Sequence, residues 1–97
     1  QQINLSTVGL DPLSHTRIDL FPNPNQGHFS LQVKSDQVRA YQFRLMDLRG
    51  RLLWEKKLRS APASFRQTVS VPNLSPGLYL MEAIADGQRQ AIKVMVE

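Results

Sequence analysis

Two histidines, eight carboxylates and no cysteine limit what this 97-residue chain can do chemically. His15 sits in a polar opening stretch, and His28 starts an alternating segment. Neither has a second histidine or a carboxylate at metal-ligand spacing. His28 therefore reads as an exposed strand-face residue rather than a ligand or base. The carboxylates are Asp11, Asp19, Asp36, Asp47, Asp86, Glu55, Glu82 and Glu97. None form the alternating acidic loop of a calcium site. A glycosidase-like pair of Asp47 with Glu82 stays open on sequence alone. Asp47, however, precedes Arg49-Gly50, where aspartate commonly satisfies turn amides. Glu82 lies in an apolar run and is expected to face solvent or to pair with an arginine. No serine occupies a G-x-S-x-G elbow, and the five glycines are scattered at turns rather than gathered in a phosphate loop. Without cysteine there is no disulfide, thiolate metal site or cysteine nucleophile. The expectation is no catalytic residue, no metal and no cofactor.

The elements that would position any site are strands. Residues 1–17 mix isolated apolar residues with Ser, Thr, Asn, Gly, Asp and Pro, and read as a linker with one short strand near residues 3–8. Residues 18–21 run into Pro22-Asn23-Pro24-Asn25-Gln26-Gly27. Two prolines fix φ and remove donors, so this is a rigid corner. Phe29, Leu31 and Val33 then alternate with polar residues, as do Tyr41, Phe43 and Leu45. The phase shifts at Met46 and Leu48, which predicts a bulge or strand end. Arg49-Gly50 turns the chain into a return strand with Leu52, Trp54 and Leu58 on one face. Residues 59–64 read as a loop. Phe65, Val69 and Val71 share a face, and residues 72–77 make a second Pro/Asn/Gly corner. Residues 78–85 are apolar except Glu82, which suits a central strand contacted on both sides. Asp86-Gly87 is a hairpin turn, and residues 88–96 close the chain with Ile92, Val94 and Val96 inward. About seven short strands separated by regular turns predict an all-β, immunoglobulin-like antiparallel sandwich, with a small barrel as alternative.

Hydrophobic residues make up 41% of the chain, enough for one modest core, and no apolar run is long enough to span a bilayer as a helix. The chain opens at Gln1 without a basic and apolar leader, so it reads as the tail of a longer protein. The net charge is +4, with Arg44, Arg49, Arg51, Lys56, Lys57 and Arg59 closest together. Asp47 and Glu55 interrupt that group, and no exposed aromatics are interleaved with it. A solvated strand face therefore outweighs a nucleic-acid surface.

Four segments in order resemble a known family. Leu20-Phe21-Pro22-Asn23-Pro24-Asn25-Gln26-Gly27 before Phe29-Ser30-Leu31 is similar to the opening motif of type IX secretion system (Por secretion system) C-terminal sorting domains, type A, of Bacteroidetes. Leu45-Met46-Asp47-Leu48-Arg49-Gly50-Arg51-Leu52-Leu53 resembles that family's central hairpin. Val71-Pro72-Asn73-Leu74-Ser75-Pro76-Gly77-Leu78-Tyr79-Leu80 resembles its later motif, and Ile92-Lys93-Val94-Met95-Val96 its closing strand. The resemblance covers residues 18–97, with residues 1–17 as linker, and departs at the terminal Glu97.

The resemblance implies an address rather than an enzyme. It implies an N-terminal cargo, an outer-membrane translocon that recognises the domain, and a sortase-like surface protease. That protease would cut within residues 1–17 and couple the cargo to an anionic lipopolysaccharide. The route would run through the periplasm to the outer membrane, cell surface or medium. Lys93, Val94 and Val96 are the candidate recognition element, through the strand's unpaired backbone; equally, Val94 and Val96 fill the core. Pro22, Asn23, Pro24, Gly27, Gly50, Arg51, Gly77 and Tyr79 are expected to shape corners and turns, with the Tyr79 phenol bonded to backbone at a sheet corner. Exposed edges leave a strand-exchanged homodimer open. A carbohydrate-binding or adhesive sandwich is the alternative function, but Tyr41, Trp54 and Tyr79 lie on core-patterned strands.

Overall fold

A computed structural model describes residues 15–97. The strand proposed near residues 3–8 lies outside the described residues. Seven strands follow in order: β1 (Thr16–Phe21), β2 (His28–Ser35), β3 (Arg39–Met46), β4 (Leu52–Ala61), β5 (Ser64–Ser70), β6 (Gly77–Ala85) and β7 (Gln88–Val96). They form a three-stranded sheet, β1-β2-β5, and a four-stranded sheet, β4-β3-β6-β7. Every strand pair is antiparallel. The alternation along each strand decides what lies between the sheets. Phe29, Leu31 and Val33 of β2 and Val69 of β5 meet Tyr41, Phe43 and Leu45 of β3. Ala61 of β4, Tyr79, Met81, Ala83 and Ala85 of β6 and Val94 and Val96 of β7 complete the core. Tyr41 stacks on Phe43 with ring centroids 5.6 Å apart, and Phe65 tilts against Tyr41 at 5.4 Å. Each large side chain buried here contributes about 1.5–3 kcal/mol.

The strand directions create two poles. At the proximal pole the chain enters β1, and the β2–β3, β4–β5 and β6–β7 connections gather. Three contacts of Arg39 hold this pole. Its guanidinium pairs with Asp36 at 2.6 Å and with Asp86, and its Nε donates to Ser35 Oγ at 2.8 Å. One partly buried cation thus ties the β2–β3 turn to the β6–β7 turn. At the distal pole lie the β1–β2 corner, the β3–β4 turn, the β5–β6 corner and the end of β7.

Four expectations need correction or refinement. β1 begins at Thr16, so it takes in Thr16 and Arg17 of the stretch read as linker. β4 continues through Ser60 to Ala61, which pairs with Arg39, so the connection to β5 is shorter than a loop over residues 59–64. Leu52 does not share the inward face with Trp54. The register steps from Leu45↔Trp54 to Met46↔Leu52, leaving Leu53 as an extra residue that turns Leu52 outward, 43% exposed. The phase shift expected at Met46 is this bulge. Finally, β6 is central within its sheet, between β3 and β7, but its outward residues Leu78, Leu80 and Ile84 stay half-buried, with no second layer of described residues upon them.

β4 is an edge strand, and its register places Lys56 opposite Phe43, on the inward side, yet exposed. A lysine there discourages another strand from adding to this edge.

Candidate recognition pole

The Pro22–Gly27 corner is built from asparagine amides. Prolines 22 and 24 carry no N–H, so the asparagines that follow them, Asn23 and Asn25, supply the hydrogen bonding. Both peptide bonds preceding them, Phe21-Pro22 and Asn23-Pro24, are cis. Asn25 is 5% exposed and satisfies all four of its polar groups. Its Nδ2 donates to the Pro22 carbonyl at 3.0 Å, and its Oδ1 accepts from the Gly27 amide at 2.9 Å. Its own N–H donates to the Met95 carbonyl at 2.9 Å, and its carbonyl accepts from the Glu97 amide at 2.8 Å. Asn23 adds two bonds: Nδ2 to the Lys93 carbonyl at 3.0 Å and Oδ1 from the Met95 amide at 2.9 Å. The corner therefore acts as a fifth, one-residue strand at the end of β7.

Gly27 closes this corner against β5. Its φ is 94°, and its carbonyl accepts from the Val71 amide at 2.9 Å. A Cβ here would lie 2.5 Å from the Val71 oxygen, so only glycine fits.

The β3–β4 turn is organised by Asp47, as the sequence suggested. Oδ1 accepts from the amides of Arg49 and Arg51, each at 2.9 Å, and Oδ2 pairs with Arg51 Nε at 3.3 Å. The bond from the Arg51 amide, aided by the Arg49 amide and both arginine charges, holds the carboxyl below its ordinary value of 3.8. Gly50, at φ 87°, bonds back to the Asp47 carbonyl at 3.0 Å. Asp47 is thus a turn residue, distant in role from the acid of a hydrolytic pair.

Across from this turn, the Tyr79 hydroxyl donates to the Ser75 carbonyl at 2.6 Å, pinning the β5–β6 corner to the start of β6. Asp47, Leu48, Arg49, Pro76, Leu78 and Tyr79 border an open groove between the two motifs.

Lys93 points outward from β7 and is exposed, while Val94 and Val96 are 0% and 3% exposed within the core. The edge of β7 is not free along its whole length. Lys93 C=O and both backbone groups of Met95 are taken by Asn23 and Asn25. By antiparallel alternation, the outward-facing backbone that no described strand pairs is at Arg89 and Ala91, toward the proximal pole.

The remaining polar candidates make cross-strand contacts. Glu82 is 8% exposed on the outer face of the four-stranded sheet, between Arg89 at 3.2 Å and Arg44 at 3.6 Å. His28 is exposed, with Nδ1 2.8 Å from the hydroxyl of its cross-strand neighbour Ser70. Among the described residues no third side chain hydrogen-bonds to that pair. Among the described residues no group of three His, Asp or Glu is placed to hold a metal ion. The basic group of the sequence divides among Arg44 on β3, Arg49 and Arg51 in the β3–β4 turn, and Lys56, Lys57 and Arg59 along β4, so it forms no single positive face.

Asn25 was the functional-looking residue that sequence reasoning undervalued. It read only as a turn residue. The available signal was its place after two donor-less prolines, which leaves an asparagine to complete the corner.

The described residues form a two-sheet antiparallel sandwich whose Pro-Asn-Pro corner, β3–β4 turn, β5–β6 corner and β7 end gather at one pole. The chain belongs to the family described as the secretion system C-terminal sorting domain, whose model it matches over residues 19–97. Its fold is similar to a part of dimeric latent PorU from Porphyromonas gingivalis, with a TM-score of 0.66 and 16% identity. That match covers 84% of this chain and 9% of the PorU chain, so the chain spans a small part of that protein. The likeness shows a shared fold. A search of curated proteins finds no match. The chain is thus a C-terminal sorting signal of type IX secretion. Such a signal is attached to a cargo, engages the secretion machinery and leads across the outer membrane to the cell surface or beyond.

Proposed function

We propose that the distal pole is the surface offered to the outer-membrane translocon, with the cargo attached at the proximal pole. The observation that carries this is topological. The Pro-Asn-Pro corner, the Asp47–Arg51 turn, the Ser75–Tyr79 corner and the end of β7 all meet at one pole. β1 receives the chain from the cargo side at the other. The machinery then reads the domain without the cargo in its way. In this reading the chain acts as an address and catalyses nothing. The domain passes through the periplasm, and a sortase-like surface protease cuts within residues 1–17 and couples the cargo to an anionic lipopolysaccharide. No nucleic acid is involved. The uncovered backbone at the proximal half of β7 supports a strand-exchanged homodimer as a storage form, which sedimentation over a range of concentrations tests.

The test is export. The chain is fused behind a fluorescent reporter carrying a signal peptide, in a bacterium with a working type IX system. Reporter at the surface or in the medium, lost when the translocon is deleted, is the expected result. Folded fusion retained in the periplasm overturns the reading.

A further inference from the structure

The two outer faces of the sandwich differ in kind. On the three-stranded sheet, the register sets Asp19, Gln32 and Arg66 in one outward row, with Arg17 and Lys34 beside it. On the four-stranded sheet, the distal half of the outer face is apolar. Leu52, Met46 and Leu80 form one cross-strand row, and Leu78 with Met95 forms the next. Leu52 and Met95 are each 43% exposed, and Leu48, which borders the same groove as Leu78, is 63% exposed. Five large hydrophobic residues are exposed in the described structure, and these three gather at this end of this face. Single exposed apolar residues need no account, but a contiguous set marks a contact surface.

The rim of the patch is cationic. Lys93 continues the Leu52–Met46–Leu80 row, and Arg49 tops the adjacent turn. Neither enters an ion pair among the described residues. Asp47, the nearby carboxylate, is already committed to two turn amides and to Arg51. Strand addition at this end is closed, because Asn23 and Asn25 hold the β7 backbone. Val94 and Val96 are inside. What β7 presents here is the outward pair Lys93 and Met95.

We propose that this face, rather than the β7 edge, is a docking surface for a protein segment carrying apolar side chains beside carboxylates. Its apolar side chains lie on Leu52, Met46, Leu80 and Met95, and its carboxylates meet Lys93 and Arg49. The proposal rests on the sorting reading and names the part of the distal pole that the machinery reads.

Export of the reporter fusion tests it. The variant Leu52→Glu with Met95→Glu places two charges in the patch without touching the core. Its exported fraction falls on the order of ten-fold, because an unpaired charge is desolvated on docking. Thr68→Glu on the opposite outer face leaves export unchanged. Should the double variant melt, Lys93→Glu decides, since that side chain is exposed: export falls, and Lys93→Arg restores it. Normal export of folded Leu52→Glu/Met95→Glu and of Lys93→Glu overturns the inference and leaves the sorting reading standing. Failure of the unaltered fusion to leave the periplasm overturns both. The domain is also mixed with phosphatidylglycerol vesicles. Co-sedimentation that the double variant abolishes would put a lipid surface on the patch and overturn the protein partner.

Discussion

The two poles of this sandwich are held by different physics. At the proximal pole, one arginine bridges two exposed aspartates and a serine. At the distal pole, neutral asparagine amides and donor-less prolines lock the β1–β2 corner onto the end of β7. Charge pairs between exposed groups weaken in salt and acid, whereas hydrogen bonds of neutral amides do not titrate. The Asp47–Arg51 turn of the distal pole titrates, but the Pro-Asn-Pro corner on the end of β7 is less sensitive to its ionic surroundings than the Arg39 network. That suits a surface to be recognised while crossing compartments.

The comparison breaks most sharply at Gly27. Gly27→Ala forces a Cβ against the Val71 oxygen at positive φ and is expected to cost about 3 kcal/mol, read as a lower urea midpoint. Asn25→Ala leaves the buried Gly27 amide and Pro22 carbonyl unpaired, with an expected loss of about 2 kcal/mol. Amide exchange at Met95 and Glu97 should accelerate in that variant before exchange at Phe43 does. Tyr79→Phe removes the bond to Ser75 for about 1 kcal/mol, with the ring still packed. Arg39→Ala lowers the melting temperature at low salt, and the gap to wild type narrows in 1 M salt, on the order of a 3 Å screening length. Equal narrowing for Asn25→Ala would erase the distinction between the poles.

The smallest effect is in acid. Arg39 hydrogen-bonds Asp36, and the Arg51 amide bonds Asp47, so both carboxyls sit below their ordinary value of 3.8. A depressed folded value means their stabilisation is complete above 3.8 and is lost as pH falls through the lowered values. Asp47→Asn should therefore differ from wild type at pH 7 and converge with it in strong acid, as followed by thermal melts.

Much of this architecture is legible in the residue pattern, because period-two alternation is a local signal. Phe29-Leu31-Val33 and Tyr41-Phe43-Leu45 announce their buried faces, and Asp86-Gly87 announces its turn. Asp47 and Tyr79 make the backbone bonds their contexts suggested, since both partners are within four residues. What stayed hidden depends on distant partners. Asn23 meets Lys93 across 70 residues, and nothing local to either marks the meeting. Leu52 faces outward because of a bulge that exists only in the β3–β4 register. The apolar run of β6 could not show that one of its faces has no layer over it. For the candidate site, the motifs were visible one by one, but their convergence at a single pole required the topology.

The opposed placement of entry point and corner also sets how the domain bears tension. A pull between Thr16 and the distal pole runs along β1, parallel to its six paired positions with β2. All the cross-strand bonds of that pair then resist together, in shear, rather than opening one after another like a zipper. The Asn23 and Asn25 bonds hand the same force on to β7. With the cargo attached at the proximal pole, as proposed above, its drag would fall along this shear axis.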